Sequence, residues 1–232
     1  RSIIADENQN ITNGCGCTLL ASCEHDGYES GDGSLSYLTA ELAVLHTASN
    51  RSATSADLDN GTTLSISNPF TTSWMAKADT IYRALLYYDV ATDGSKTVKA
   101  RSVSAVPVLR PIDKNKVTQM HTDPVGIESV WAAKSGYINL SLLLKAGKTD
   151  GEDAVQTLGL VDCGTTEGDD GKRMRHLKLY HDQGGVPEYY TVQRYASIDI
   201  KDLGDVDAVS ITVNTYGGEV TKTFECKQIM LI

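Results

Sequence analysis

"SGYINLSLLLKAG", Ser135 to Gly147, is the stretch whose reading decides the fold. Successive side chains on a strand point to opposite sides. Ile138, Leu140, Leu142 and Leu144 therefore fall on one side, and Tyr137, Asn139, Ser141 and Leu143 on the other. One face is wholly aliphatic and the other mixed, which predicts a strand whose aliphatic side meets a core.

Working outward, the chain keeps the same rhythm. Downstream, "AVQTLGLVD" is a second strand, and acidic "GTTEGDDGK" leads to "RMRHLKLYHD", a third. "QGGVPE" turns the chain into "YYTVQRYASIDI", and "AVSITVNTY" with "EVTKTFEC" forms a hairpin around Gly217–Gly218. Upstream, "RPIDKNKVTQMHTDPVG" (Arg110–Gly126) is polar, has Pro111 and Pro124 near its ends and carries no sustained pattern. It predicts a linker over residues 111–124. Before it, "KTVKARSVSAVPVL" (Lys96–Leu109) and "TIYRALLYYDV" (Thr80–Val90) predict a long-armed β-hairpin about "TDGS", with Pro107 marking an edge or bulge. "DNG" (Asp59–Gly61) is a tight-turn signal ahead of a short strand, "TLSIS". In "SLSYLTAELAVLH" (Ser34–His46) both alternate registers are rich in apolar residues, which suits a strand covered on much of both faces; a short helix fits the same residues. Turn signals every ~8–15 residues are the rhythm of sandwiches and barrels. The expected fold class is all-β: a small domain over residues 35–110, then a β-sandwich over residues 125–232.

Composition narrows function by exclusion. Of 232 residues, 41% are hydrophobic and 22% charged, ordinary globular values. The net charge of -9 is uneven: residues 1–34 carry six acids against Arg1 alone, residues 35–112 seven bases and six acids, and residues 113–232 thirteen bases and eighteen acids. No segment has the basic excess that neutralises phosphates, so no nucleic-acid partner is expected. No apolar run approaches the ~18 residues that span a bilayer as a helix.

No residue nominates itself for catalysis. GxSxG, SxxK and Gly-rich phosphate-loop patterns are missing, and among the eighteen acids of residues 113–232 a coincidental carboxylate pair carries no signal. The histidines are His25, His46, His121, His176 and His181, with no HxH or HExxH pair. His176 and His181 bracket one strand at an odd spacing, so they point to opposite faces. Structural or solvent roles are expected for all five, and no metal or cofactor. The acid-rich turns "GKTDGEDA" (Gly147–Ala154), "TEGDDGK" (Thr166–Lys172) and "DIKDLGDVDA" (Asp199–Ala208) lack the EF-hand order and read as solvated loops. Asp199, Asp202, Asp205 and Asp207 are the set dense enough to converge. Eleven of the fifteen aromatic residues are tyrosines, and Tyr180, Tyr189, Tyr190 and Tyr195 are expected in one hairpin. Half-exposed cross-strand pairs are the plainer reading; the sharper one is a binding face for a sugar or a protein. Trp74 and Trp131 are expected near strand starts, in the core.

Cys163 and Cys226 each end a strand, so either a disulfide or two reduced, buried thiols is consistent with their positions. Cys15-Gly16-Cys17 has no second CxxC or His partner and makes a weak zinc motif. Leu20-Ala21-Ser22-Cys23 fits a bacterial lipoprotein cleavage site: an aliphatic residue, two small ones, then the cysteine that takes the lipid. "EHDGYESGDGS" after it is short and polar, as a tether from lipid to folded domain would be. Residues 1–22 are then a leader or disordered segment and 23–34 the tether. Upstream, "RSIIADENQNITNGCGCT" departs from a leader, being polar with Asp6 and Glu7 where an apolar run of roughly 7–15 residues belongs.

Taken in order, the Cys23 tether, "YLTAELAVLHT", "YRALLYYDV", "VPVLRPID", "SGYINLSLLLKAG", "LKLYHDQGGVPEYYTVQRYASIDI" and "ITVNTYGG" make the chain resemble the NigD-like proteins of Bacteroides-type bacteria over roughly residues 23–226. The resemblance implies an N-terminal OB-like barrel, a C-terminal β-sandwich and lipid anchoring after signal cleavage, with localisation at the cell envelope, on the outer membrane. The family takes its name from a bacteriocin gene cluster and lends no catalytic residues. Three functions are weighed: a non-enzymatic lipoprotein that binds a protein or glycan, an immunity-like protein that neutralises a toxin, and an envelope hydrolase. The last requires a cleft with converging acids or a nucleophile–base pair.

Overall fold

The computed structural model describes residues 38–90, 93–148 and 154–226. The Cys23 lipidation site, its tether and the leader-like segment lie outside them, as do Cys15, Cys17 and most of the 147–154 turn.

The first unit is a closed barrel of five strands: β1 (Leu38–Thr47), β2 (Ala53–Leu58), β3 (Thr63–Phe70), β4 (Ile81–Asp89) and β5 (Thr97–Ala105). They run in the order β1-β2-β3-β5-β4, and β1 pairing β4 closes the ring. β3 and β5 pair in parallel, whereas β4 and β5 form the expected antiparallel hairpin. Alternate residues fill the lumen, among them Ala43, Leu45, Ala56, Leu58, Ala84 and Leu86. A narrow barrel has little interior, and alanines at 43, 56 and 84 make room for the leucines between them. Met75 plugs the core from the β3–β4 loop at 1% exposure. Trp74 sits in that loop rather than at a strand start, edge-on to Tyr82 at 5.7 Å. Leu42 through Leu45 are all buried, the two-sided cover expected of β1. β2 was not legible as a strand.

The second unit is a sandwich. β6 (Pro111–Asp113), β9 (Thr157–Glu167), β10 (Arg173–Asp182), β12 (Ala208–Thr215) and β13 (Gly218–Glu225) make a five-stranded sheet ordered β13-β12-β10-β9-β6. β7 (Gly126–Ala132), β8 (Tyr137–Ala146) and β11 (Tyr190–Asp199) make the facing sheet, ordered β11-β8-β7. The four aliphatics of β8 lie at its centre, none more than 2% exposed, against Leu158, Leu160, Leu177, Leu179, Val209, Ile211 and Val213 of the larger sheet. Burying four such side chains supplies about 6–12 kcal/mol of transfer free energy before entropy is counted.

The sandwich is mostly antiparallel with two parallel pairs, β10–β12 and β6–β9. The first follows from the route of the chain. β11 crosses to the smaller sheet between β10 and β12, so β12 returns beside β10 in the same direction. The stretch expected as a linker is built into this unit: Pro111–Asp113 pairs with β9, and Thr122 bridges His181. Its polarity reflects an edge position, not freedom from the fold.

Barrel and sandwich meet at a polar centre. Arg83 of β4 is 5% exposed, and its Nη2 donates to Asp59 Oδ2 at 2.6 Å and to Asn139 Oδ1 at 2.9 Å. Its Nε donates to Ser197 Oγ at 3.1 Å, and the guanidinium carbon lies 4.4 Å from the centre of the Tyr137 ring. Asn139 Nδ2 also donates to Asp59, and Ser197 Oγ to Asn139. Tyr137 and Asn139 are on the mixed side of β8, and the junction explains why that side is not aliphatic.

Candidate functional site

The mixed side of β8 is covered by the junction at Asn139 and, beyond it, by the exposed side chains of Glu128 and Gln193, which leave Ser141 buried. Ser141, opposite Tyr195 on β11, is the next residue on that side, and Trp131 of β7 lies opposite Asn139. Trp131 and Tyr195 meet edge to face, ring centres 6.5 Å apart and planes at 88°. Ser141 Oγ donates to Glu128 Oε2 at 2.6 Å. Gln193 Nε2 donates to that carboxylate, to Ser141 Oγ at 2.9 Å and to Tyr195 Oη at 3.1 Å. Two half-buried rings thus stand beside an exposed amide and carboxylate, all on strands anchored in the core. Such a surface offers ring edges and faces together with hydrogen-bonding groups.

The predicted tyrosine face is only partly assembled. Tyr180 belongs to β10 in the larger sheet, whereas Tyr190 and Tyr195 belong to β11 in the smaller one, and β11 pairs β8, not β10. The four do not share a hairpin, because the 183–189 turn carries the chain from one sheet to the other. Tyr195 alone joins Trp131. Tyr189 and Tyr190 are 71% and 56% exposed, and Tyr190 lies opposite Ala146 at the start of β11. Trp131 is near the end of β7, not its start, and is not in the core.

Of the two alternatives for Cys163 and Cys226, the disulfide is not formed. Both thiols are free, and β12 and β10 separate their strands within one sheet. At about 4.8 Å per strand this exceeds the ~7 Å Cα reach of a disulfide. Cys163 is exposed; Cys226 is buried, and burial, with Glu225 and Asp207 nearby, pushes its thiol up.

Three of the four aspartates of 199–207 have partners within the fold rather than converging on one point. Asp199 accepts from Lys201 N, Asp202 pairs with Arg110 at 3.1 Å, and Asp207 accepts from Arg173 N. A different group does converge, and sequence spacing had no means of finding it. His121 and Asp123, two residues apart on the bridging stretch, meet Asp182 at the end of β10, each offering one ligand atom within 4.8 Å of the others. His121 Nδ1 lies 3.7 Å from Asp182 Oδ1. The Tyr180 ring packs edge-on against His121 at 5.7 Å. Burial pushes the Tyr180 phenol up, and the charges of Asp182 and Asp123 add to it.

His176 and His181 do point to opposite faces. His176 is held between Ser210 and Thr166, each hydroxyl 2.8 Å from a ring nitrogen; His181 is buried at 1% exposure with Nδ1 2.9 Å from the Asp123 carbonyl oxygen. The Ser210–His176 pair lies outside two shallow grooves formed by the described residues. The larger groove, about 630 Å³, runs between β7 and the β12–β13 hairpin, with Glu128 its one carboxylate and Lys222 its one base. The smaller, about 370 Å³, is lined by Arg51 and residues of the β3–β4 loop and has no acid.

A five-stranded barrel followed by a two-sheet sandwich, polar at the seam and with two aromatic rings on one face of the smaller sheet, defines a two-unit all-β protein. The model of the NigD-like C-terminal β-sandwich domain matches residues 108–227, more than half of the chain, and the protein belongs to the NigD-like family. No curated protein matches it. Among solved structures it is similar to a NigD-like immunity protein from Bacteroides caccae, at 19% identity and a TM-score of 0.61 over 79% of this chain and 91% of that one. A protein described as toxin related, from Parabacteroides distasonis, is 17% identical with a TM-score of 0.59, over 84% of this chain and 98% of that one. One described as a lipoprotein, from Bacteroides fragilis, is 15% identical with a TM-score of 0.52, over 81% and 97%. At these identities the likeness is one of fold.

Proposed function

We propose that the protein is a non-enzymatic lipoprotein of the bacterial cell envelope, anchored in the outer membrane through Cys23, that binds a protein or glycan partner. The observation that carries the binding reading is the face of the smaller sheet where Trp131 and Tyr195 stand beside Gln193 and Glu128. Aromatic residues on rigid strands lose little entropy on contact, and the amide and carboxylate supply directional bonds. The shallow grooves, without paired acids, favour binding over hydrolysis. Leu20-Ala21-Ser22-Cys23, the polar tether after it and the lipoprotein description of the B. fragilis relative support the anchor.

Envelope extract and a glycan array, probed with the purified chain and with Trp131→Ala and Tyr195→Ala, test the face. Each variant is expected to lose binding at least tenfold while keeping the wild-type Tm. Undiminished binding in both removes the face. Labelled palmitate incorporation at Cys23 in cells tests the anchor, and an unmodified full-length product removes it.

A second reading, immunity to a bacteriocin, is favoured by the descriptions of the B. caccae and P. distasonis relatives. It predicts that a deletion strain becomes more sensitive to the cognate toxin; unchanged sensitivity together with no toxin binding overturns it.

A further inference from the structure

We propose that His121, Asp123 and Asp182 bind one divalent transition-metal ion on the five-stranded sheet, at a site separate from the Trp131–Tyr195 face.

The donor spacing fits a single ion. Ligands held ~2.0–2.2 Å from a metal stand roughly 3–4.4 Å from one another. The three donor atoms here lie within 4.8 Å, and His121 Nδ1 is 3.7 Å from Asp182 Oδ1. That gap is too long for a hydrogen bond between them and suits two ligands on one ion.

The donors are held in place by the backbone. His181 N donates to the His121 carbonyl at 3.1 Å, and Asp123 N to the His181 carbonyl at 2.9 Å. This fixes the His121–Asp123 stretch beside the end of β10, where Asp182 stands. Gln183 N donates to Asp123 Oδ2 at 2.7 Å, orienting that carboxylate and leaving Oδ1 for a metal. The Tyr180 ring limits the swing of the His121 imidazole. Groups that orient the ligands in this way are a regular part of metal sites.

Charge points the same way. Two carboxylates meet here, and among the described residues the one ion-pair partner of either is His121 itself. A divalent ion offsets both charges.

The donor set selects the metal class. One imidazole with two carboxylates suits zinc, manganese or cobalt, while calcium and magnesium take oxygen ligands throughout. Side-chain exposures of 30% for His121 and 32% for Asp182 leave the site open to solvent. Three protein ligands leave a coordination position for water or for a donor from outside the chain.

Calorimetric titration of the full chain with Zn²⁺, repeated with Mn²⁺, tests the site. One ion per chain at micromolar affinity is expected, falling at least tenfold in His121→Ala and in Asp182→Asn. Both residues are partly exposed, so the metal-free variants should keep the wild-type circular dichroism and Tm, which separates a lost site from a lost fold. Absence of binding by either metal overturns the proposal. So does binding that survives the His121→Ala/Asp182→Asn double variant, since the ion would then sit elsewhere, for example on the N-terminal cysteines.

Discussion

At the scale of single residues, Arg83 is the buried cation of the seam. It donates to Asp59, Asn139 and Ser197 from a position whose side chain is 1% exposed. Removing one member of a buried, hydrogen-bonded ion pair leaves the other uncompensated, at a cost of roughly 3–5 kcal/mol. Arg83→Ala is therefore expected to lower the urea midpoint sharply, and Arg83→Lys to recover only part of the loss because an ammonium cannot reach all three partners. A second residue-level expectation concerns acid. Burial tends to raise the Asp162 carboxyl, but hydrogen bonds and charge from Arg175, with Gly164 N, hold it below the usual range; Thr63 first, then His46, do the same for Asp57. Carboxyls lowered on folding stabilise above their unfolded pKa of about 3.9, and that stability is lost as pH falls through the folded value. Unfolding followed from pH 6 to pH 2 should show stability falling below about pH 4, less steeply in Asp162→Asn. Arg83 could not be assigned a role from sequence, since its partners lie 24, 56 and 114 residues away. His121 and Asp182 were unreadable as a pair for the same reason: they are brought together by a bridge that only the folded sheet creates.

Among the elements, β8 was legible because its pattern is strong and uninterrupted, and the structure puts its aliphatic side at the centre of the sandwich. Leu140→Ala and Leu142→Ala, both at positions with no exposure, should each cost about 2–5 kcal/mol by chemical denaturation. Strands that escaped notice have local reasons. β2 reads "ATSADL", and two of its three buried positions, Ala53 and Ala56, are too small to mark a period, which Leu58 alone cannot do. β7 reads "GIESVWA", and an irregularity between Ile127 and Ser129 shifts the alternation midway. β6 has three residues, one of them proline, and pairs along one side of a sheet edge. The tyrosine hairpin failed for a topological reason. Turn signals mark where the chain reverses, but not whether it reverses within a sheet or crosses to the facing one.

At the scale of the whole molecule, the seam couples barrel and sandwich through hydrogen bonds that Arg83 donates to Asn139 and Ser197 and that Asp59 accepts from Asn139 and Ser135. The wild-type chain is expected to unfold in one calorimetric transition. Arg83→Ala should resolve it into two, with the barrel melting first, since its core is smaller and richer in alanine. The strand order of the larger sheet also sets a schedule. β6, the first strand of the sandwich, lies at one edge of that sheet, and β13, the last, at the other. β10 remains without its parallel neighbour until β12 has been made. The barrel is complete by Ala105 and can close while the rest is still being synthesised, but the sandwich must wait for nearly the end of the chain. In a growing or translocating polypeptide that interval leaves strand edges exposed to aggregation, so timing, more than final stability, is where this architecture is most in need of a chaperone.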